Sequence, residues 1–80
     1  MANVTVYSTE TCPWCHRAKD FLKAHDIAFK NRDVSSDPEA RKEMVKKSGQ
    51  MGVPVLDIGG KVIVGFDEEA ITKALKIKHG

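Results

Sequence analysis

Both cysteines of the chain fall within four residues, in Thr11-Cys12-Pro13-Trp14-Cys15-His16, directly after an apolar run that ends at Ser8. A strand that stops there and a helix that starts at Cys12 would place one sulfur at the mouth of the helix and the other one turn inside it. The unpaired backbone N–H groups of a helix start, and the positive end of its dipole, favour a thiolate over a thiol. Cys12 is therefore the expected reactive thiol. Pro13 falls at the first helical position, where a missing N–H removes no bond and a fixed φ suits the turn. Cys15 lacks that field and is placed to attack a mixed disulfide formed on Cys12.

Other uses of two cysteines fit less well. A structural bridge closing so short a loop restricts the unfolded chain only slightly. A zinc site needs four ligands, and His16, His25 and His79 stand at spacings that match no common finger, so no metal site is expected. The run Cys12-x-x-Cys15-His16 also matches the c-type haem attachment pattern. Haem attachment belongs to secretory compartments, and Met1-Ala2-Asn3-Val4-Thr5 offers neither a charged leader nor a long apolar stretch. The expected location is the cytoplasm, where a close cysteine pair is more often redox-active or metal-binding than structural.

Eighty residues suit one domain spanning 1–80. Thirteen Lys and Arg against eleven Asp and Glu leave a formal charge of +2, and the charges are mixed along the chain. That pattern points to neither a nucleic-acid groove nor a membrane face. Val4, Val6 and Tyr7 read as a short buried strand. From Cys12 to about His25, Cys15, Ala18, Phe21 and Leu22 recur at helical spacing. Ile27, Phe29 and Val34 mark a second strand whose polar neighbours put it at a sheet edge. A helix then starts at either a Ser36-x-x-Glu39 capping box or an Asp37 cap with Pro38 after it. It buries Ala40, Met44 and Val45, leaves Arg41, Lys42, Lys46 and Lys47 as a solvated face, and ends at Gly49. Val53 to Ile58 and Lys61 to Val64 form a hairpin around Gly59-Gly60, with Pro54 at the strand start, where a cis bond is tolerated. Asp67 caps a last helix with Ala70, Ile71, Ala74 and Leu75 inward. The order βαβ-α-ββα gives a mixed four-stranded sheet flanked by three helices.

With Cys12-Pro13-Trp14-Cys15 after the first strand, Gly52-Val53-Pro54 before the third and Val64-Gly65-Phe66-Asp67 before the last helix, the chain resembles the glutaredoxins over almost its whole length. The resemblance implies a thioredoxin-like α/β fold and a thiol-disulfide oxidoreductase acting on protein or glutathione mixed disulfides through Cys12 and Cys15. It implies a cis Val53-Pro54 bond facing the dithiol, with the Val53 backbone free to pair with a substrate peptide or glutathione. Pro13, Trp14, Val53, Pro54, Gly65, Phe66 and Asp67 then become the binding residues, the Phe66 and Asp67 N–H groups holding the γ-glutamyl carboxylate of glutathione.

Several positions depart from the family pattern. Thr9 stands where relatives often carry Lys or Arg, Gly52 where Thr is common, Val64 where a second glycine is common, and Trp14 where Tyr is usual. A related group of redoxins takes electrons from thioredoxin reductase and serves ribonucleotide reductase, and it shares a pair resembling Gly65-Phe66. That group supplies the alternative reading. Haem binding and an iron-sulfur cluster shared through the first cysteine are more distant alternatives, the second disfavoured by Pro13. The expected protein has no tightly bound cofactor, uses glutathione as co-substrate, or a disulfide reductase in its place, and works as a monomer on disulfide-containing proteins.

Overall fold

A computed structural model describes residues 3–75. Seven elements follow one another: β1 (Val4–Ser8), α1 (Pro13–Ala24), β2 (Lys30–Asp33), α2 (Pro38–Ser48), β3 (Val55–Ile58), β4 (Lys61–Val64) and α3 (Glu68–Leu75). The strands form one mixed sheet in the order β2-β1-β3-β4. β1 runs parallel to β2, whereas the β1–β3 and β3–β4 pairs are antiparallel. This is the expected four-stranded sheet with three helices.

Strand alternation sorts side chains onto two faces. Val6 lies opposite Leu56, and Leu56 opposite Ile63. These three join Val4, Ile58, Ala18 and Leu22 of α1, and Ile71 of α3 in one apolar cluster. Tyr7 and Val55, paired with each other, point the other way and meet Ala40 and Met44 of α2 together with Val34. The central strand β1 is thus covered by helices on both faces.

The helix ends follow local chemistry. α1 stops where Asp26 takes a left-handed φ of 56°, which lets the Ile27 N–H reach back to the Leu22 carbonyl at 2.9 Å. Of the two starts expected for α2, the Asp37 cap is used: its Oδ1 accepts from the Glu39 and Ala40 N–H groups at 3.1 and 3.3 Å. Gly59 and Gly60, at φ 59° and 93°, make the tight turn of the β3–β4 hairpin, a geometry that needs positive φ at both positions.

Three expectations need correction. β2 occupies Lys30–Asp33, so Ile27 and Phe29 precede the ladder and pack on the α1 cluster, while Val34 follows it. The strand is set by its parallel pairing with β1, through backbone groups that hydropathy does not report. Pro54 precedes β3, which begins at Val55. Lys47 is exposed as expected, but its ammonium is not left to solvent alone. Its Nζ meets Asp57 Oδ2 at 2.6 Å, the Tyr7 hydroxyl at 3.1 Å and Glu43 Oε1 at 3.3 Å. Among the described residues, no helix is long and apolar enough to cross a membrane.

Candidate active site

β1 delivers the chain to the site. After Ser8, the loop 9–11 turns and Cys12 takes an extended conformation (φ −94°, ψ 110°) as the N-cap of α1. Its N–H donates to the Thr9 carbonyl at 3.4 Å, and its carbonyl accepts the first helical bond, from the His16 N–H at 3.2 Å. The Sγ of Cys12 accepts from the Cys15 N–H at 3.2 Å. A sulfur thus occupies the position where Ser, Thr or Asp commonly caps a helix. A thiolate accepts such a bond better than a thiol does, since the charged acceptor makes the stronger hydrogen bond.

The two sulfurs sit in different surroundings. Both are free thiols, Cys12 part-exposed and Cys15 buried. Burial, seconded by the hydrogen bond with Cys12, pushes the Cys15 thiol up to about 11, although a Thr9 backbone hydrogen bond acts in the opposite direction. Cys15 shares its buried stripe with Ala18 and Leu22. A nucleophile at the rim and a protonated partner beneath it is the arrangement that two-step thiol–disulfide exchange requires.

Trp14, the residue before Cys15, reaches an open groove of about 300 Å³ that is also lined by Val53, Pro54, Gly65 and Phe66. Five of the residues expected at the site are therefore brought together from three separate segments of the chain. The Val53-Pro54 bond is cis. The Gly65 N–H donates to the Pro54 carbonyl at 2.8 Å, which ties the loop before β3 to the loop after β4. Gly65 has φ +80°, and a Cβ placed there would meet nothing within 4 Å, so the backbone angle and not the space asks for glycine. Trp14 is 55% exposed and stands as one wall, its ring centroid 6.5 Å from that of Phe66. Phe66 in turn meets Phe21 edge-on at 5.9 Å, which anchors the wall to the α1 side of the core.

Asp67 caps α3. Its Oδ1 accepts from the Ala70 N–H at 3.1 Å, and its carbonyl from the Ile71 N–H at 2.9 Å. Its carboxylate is therefore used locally. The Phe66 and Asp67 N–H groups have no backbone partner among the described residues. They stand at a helix start, where an anion is favourably held. Val53 likewise makes no backbone hydrogen bond among those residues, so its N–H and C=O are open to an extended ligand. Pro13 is exposed at the first turn of α1 and does not line the groove. Val64, 46% exposed, adds an apolar side chain next to Gly65.

Two contacts are not legible from spacing alone. His16 brings its Nε2 within 2.8 Å of the Glu10 carbonyl. A carbonyl can only accept, so Nε2 carries the hydrogen and pins the loop before Cys12 to α1. Arg17 lays its guanidinium over the Trp14 ring, 4.8 Å from the centroid. The i, i+3 spacing makes that contact possible but does not select it. Among the described residues, no group of three or more His, Cys, Asp or Glu side chains converges to hold a metal.

The glutaredoxin family model matches residues 4–63. The chain is 44% identical over 73 residues to an uncharacterized glutaredoxin-like 8.6 kDa protein in the rubredoxin operon of Clostridium pasteurianum, covering 91% of this chain and 97% of that one. It is 41% identical over 68 residues to glutaredoxin 3 of Escherichia coli strain K12, covering 85% and 82%. The crystal structure of a mutant of the thioredoxin-like protein BC3987 superposes with a TM-score of 0.90 at 32% identity, covering 98% of this chain and all of that one.

Proposed function

The chain belongs to the glutaredoxin family and is a thiol-disulfide oxidoreductase, and within that class we propose that it reduces protein and glutathione mixed disulfides through Cys12 and Cys15, with glutathione as the electron donor. The observation that carries this reading is the contrast between a part-exposed Cys12 capping α1 and a buried, protonated Cys15 one turn below it.

In the first step the Cys12 thiolate attacks one sulfur of a substrate disulfide. A Cys12–substrate disulfide forms, the substrate bond breaks, and the leaving thiolate takes up a proton from water. In the second, Cys15 gives up its proton and attacks the Cys12 sulfur. The Cys12–Cys15 disulfide forms and the substrate leaves fully reduced, having gained two electrons and two protons. Two glutathione thiols then restore the dithiol and leave as glutathione disulfide.

The groove walled by Trp14 and Phe66 supports an extended ligand held by the Val53 backbone, and the Phe66 and Asp67 N–H groups support a carboxylate at the start of α3. Pro13 serves in this reading by fixing the first turn. We assign the protein to a reducing cytoplasm, where the free dithiol is the resting form.

A second reading has support in Thr9 and Val64. Neither supplies the cation or the close backbone approach expected for tight glutathione binding, and the half-exposed Val64 widens the apolar rim. In that reading thioredoxin reductase restores the dithiol and ribonucleotide reductase accepts the electrons. The two are separated by turnover of bis(2-hydroxyethyl) disulfide with NADPH and either glutathione plus glutathione reductase or thioredoxin reductase. Turnover with the glutathione couple, lost in Cys12→Ser, is the expected outcome. Turnover with thioredoxin reductase alone would replace the first reading by the second.

A further inference from the structure

Among the described residues, some cations are held in ion pairs and Arg17 is held by a ring. Arg32 reaches Asp37 at 3.5 Å and Glu43 at 3.1 Å, Lys47 reaches Asp57 and Glu43, and Lys73 reaches Glu69 at 3.6 Å. Arg17 is exposed and has no carboxylate within ion-pair distance among the described residues. What holds it is the face of Trp14. A contact with a ring face holds a guanidinium without neutralising it, and its planar N–H fork is of the kind that matches a carboxylate. Trp14 is itself a wall of the groove and is braced from another side by Phe66. An unpaired positive charge is thereby held against a wall of the groove, five residues along the chain from the reactive sulfur.

We infer that Arg17 is a specificity residue, which selects disulfide substrates carrying a carboxylate beside the reacting cysteine. This rests on the reading of Cys12 as the nucleophile and of the groove as the substrate site. The carboxylate can belong to an acidic side chain of a protein substrate or to glutathione itself. The chemistry is shared, and the sources are separated by experiment.

In a Cys15→Ser background the reaction stops after Cys12 attacks. One Cys12–substrate bond forms, one substrate thiol leaves, and single-turnover rates report the encounter. Four disulfides are compared: a symmetrical cysteinyl peptide disulfide with Asp next to the cysteine, its Asn isostere, glutathione disulfide, and the glycine ethyl ester of glutathione disulfide. At low ionic strength the charged member of at least one pair should react about fivefold faster than its neutral counterpart. Added salt should reduce that ratio. Arg17→Gln should bring it close to one, and Arg17→Lys should keep part of it, since an ammonium keeps the charge but loses the fork.

A preference in the Asp/Asn pair identifies a peptide carboxylate, and one in the glutathione pair the tripeptide's own. If Arg17 only props up Trp14, Arg17→Gln slows charged and neutral members alike, and the proposal falls. It also falls if both ratios survive in Arg17→Gln, or if neither pair shows a preference to begin with. Failure of the Cys15→Ser protein to react with any of the four would overturn the nucleophile reading together with the proposal. Retained reaction without charge preference removes Arg17's role alone.

Discussion

On the face of the sheet covered by α1 and α3, the buried contacts are hydrocarbon: Val4, Val6, Leu56, Ile58 and Ile63 against Ala18, Leu22 and Ile71. On the face covered by α2, apolar packing of Val55, Ala40 and Met44 is joined by a polar chain. Tyr7, itself fully buried, donates its hydroxyl to Glu43 Oε1 at 2.9 Å and accepts from Lys47, which also binds Asp57. Arg32 holds the other oxygen of Glu43 at 3.1 Å. Burial drives the first face, and its strength scales with area. The second also depends on polar groups that must all be satisfied at once, and no buried side-chain N or O among the described residues lacks a partner. The dithiol sits on the first of these faces, where a dry environment is what keeps Cys15 protonated.

The largest expected effect tests that dryness. With its thiol pushed up to about 11, Cys15 presents about one thiolate in ten thousand at pH 7. Iodoacetamide at neutral pH should therefore add one alkyl group, on Cys12. A second addition should appear only as the pH approaches about 11, or once the protein is unfolded. Peptide mapping by mass spectrometry reads both. Equal labelling of the two cysteines at pH 7 would mean that water reaches the α1 stripe, and the contrast between the two faces would be lost at the site itself.

Next in size is the cost of a cavity. Leu22 is fully buried at the centre of the α1 cluster. Leu22→Ala should lower the unfolding free energy by about 2–5 kcal/mol, a large part of the total for a domain of this size. The urea midpoint measures it. A loss under about 1 kcal/mol would show that this face collapses around the gap, or was loosely packed before.

Much of the first face was legible because hydropathy records it. Cys15, Ala18 and Leu22 recur at three and four residues, and all three are buried. Val4, Val6, Leu56, Ile58 and Ile63 alternate as a strand requires. The second face was harder to read. Lys47 follows Lys46 in a basic run, and nothing in the spacing marks out Lys47 as the one aimed at Tyr7, forty positions away in sequence. β2 escaped for a related reason, since Lys30–Asp33 is held by the backbone of β1 and carries exposed or half-buried side chains. At the site, Cys12 and Pro13 were readable because local geometry demands them, a cap and a ring at the first helical position, whereas Gly65 entered through family likeness and its positive φ is a finding of the structure. The groove joining them was readable only through family likeness, since Trp14, Pro54 and Phe66 meet through tertiary packing. Arg17 over Trp14 and His16 on Glu10 are selected by tertiary packing that the sequence does not encode locally.

The smallest effect bears on the α2 face and is best seen through pH. Hydrogen bonds from Lys47, first to Asp57 and then to Tyr7, hold its ammonium above the ordinary lysine range, and burial raises the Tyr7 phenol. Both shifts have the same consequence. Below the unfolded values of about 10 for tyrosine and 10.4 for lysine the stabilisation is complete. Above them the unfolded chain loses its protons while the native state keeps them, so stability falls as the pH climbs through the folded values. Glu43 behaves oppositely. Its carboxyl is held low, chiefly by the Tyr7 hydrogen bond, so its contribution is present above about 4.3 and fades as the pH falls. Lys47 and Glu43 are each about one-third exposed, and solvent screening keeps such pairs modest. Lys47→Met or Tyr7→Phe should each cost about 1 kcal/mol at pH 7. The double variant should lose much less than the wild type between pH 9 and about 11.5, and Leu22→Ala should follow the wild-type pH curve at a lower height. Urea titrations across that range give all three curves. If the wild-type curve is flat there, or if Leu22→Ala flattens it as much as the double variant does, the polar chain contributes nothing of its own and the two faces are held by the same force.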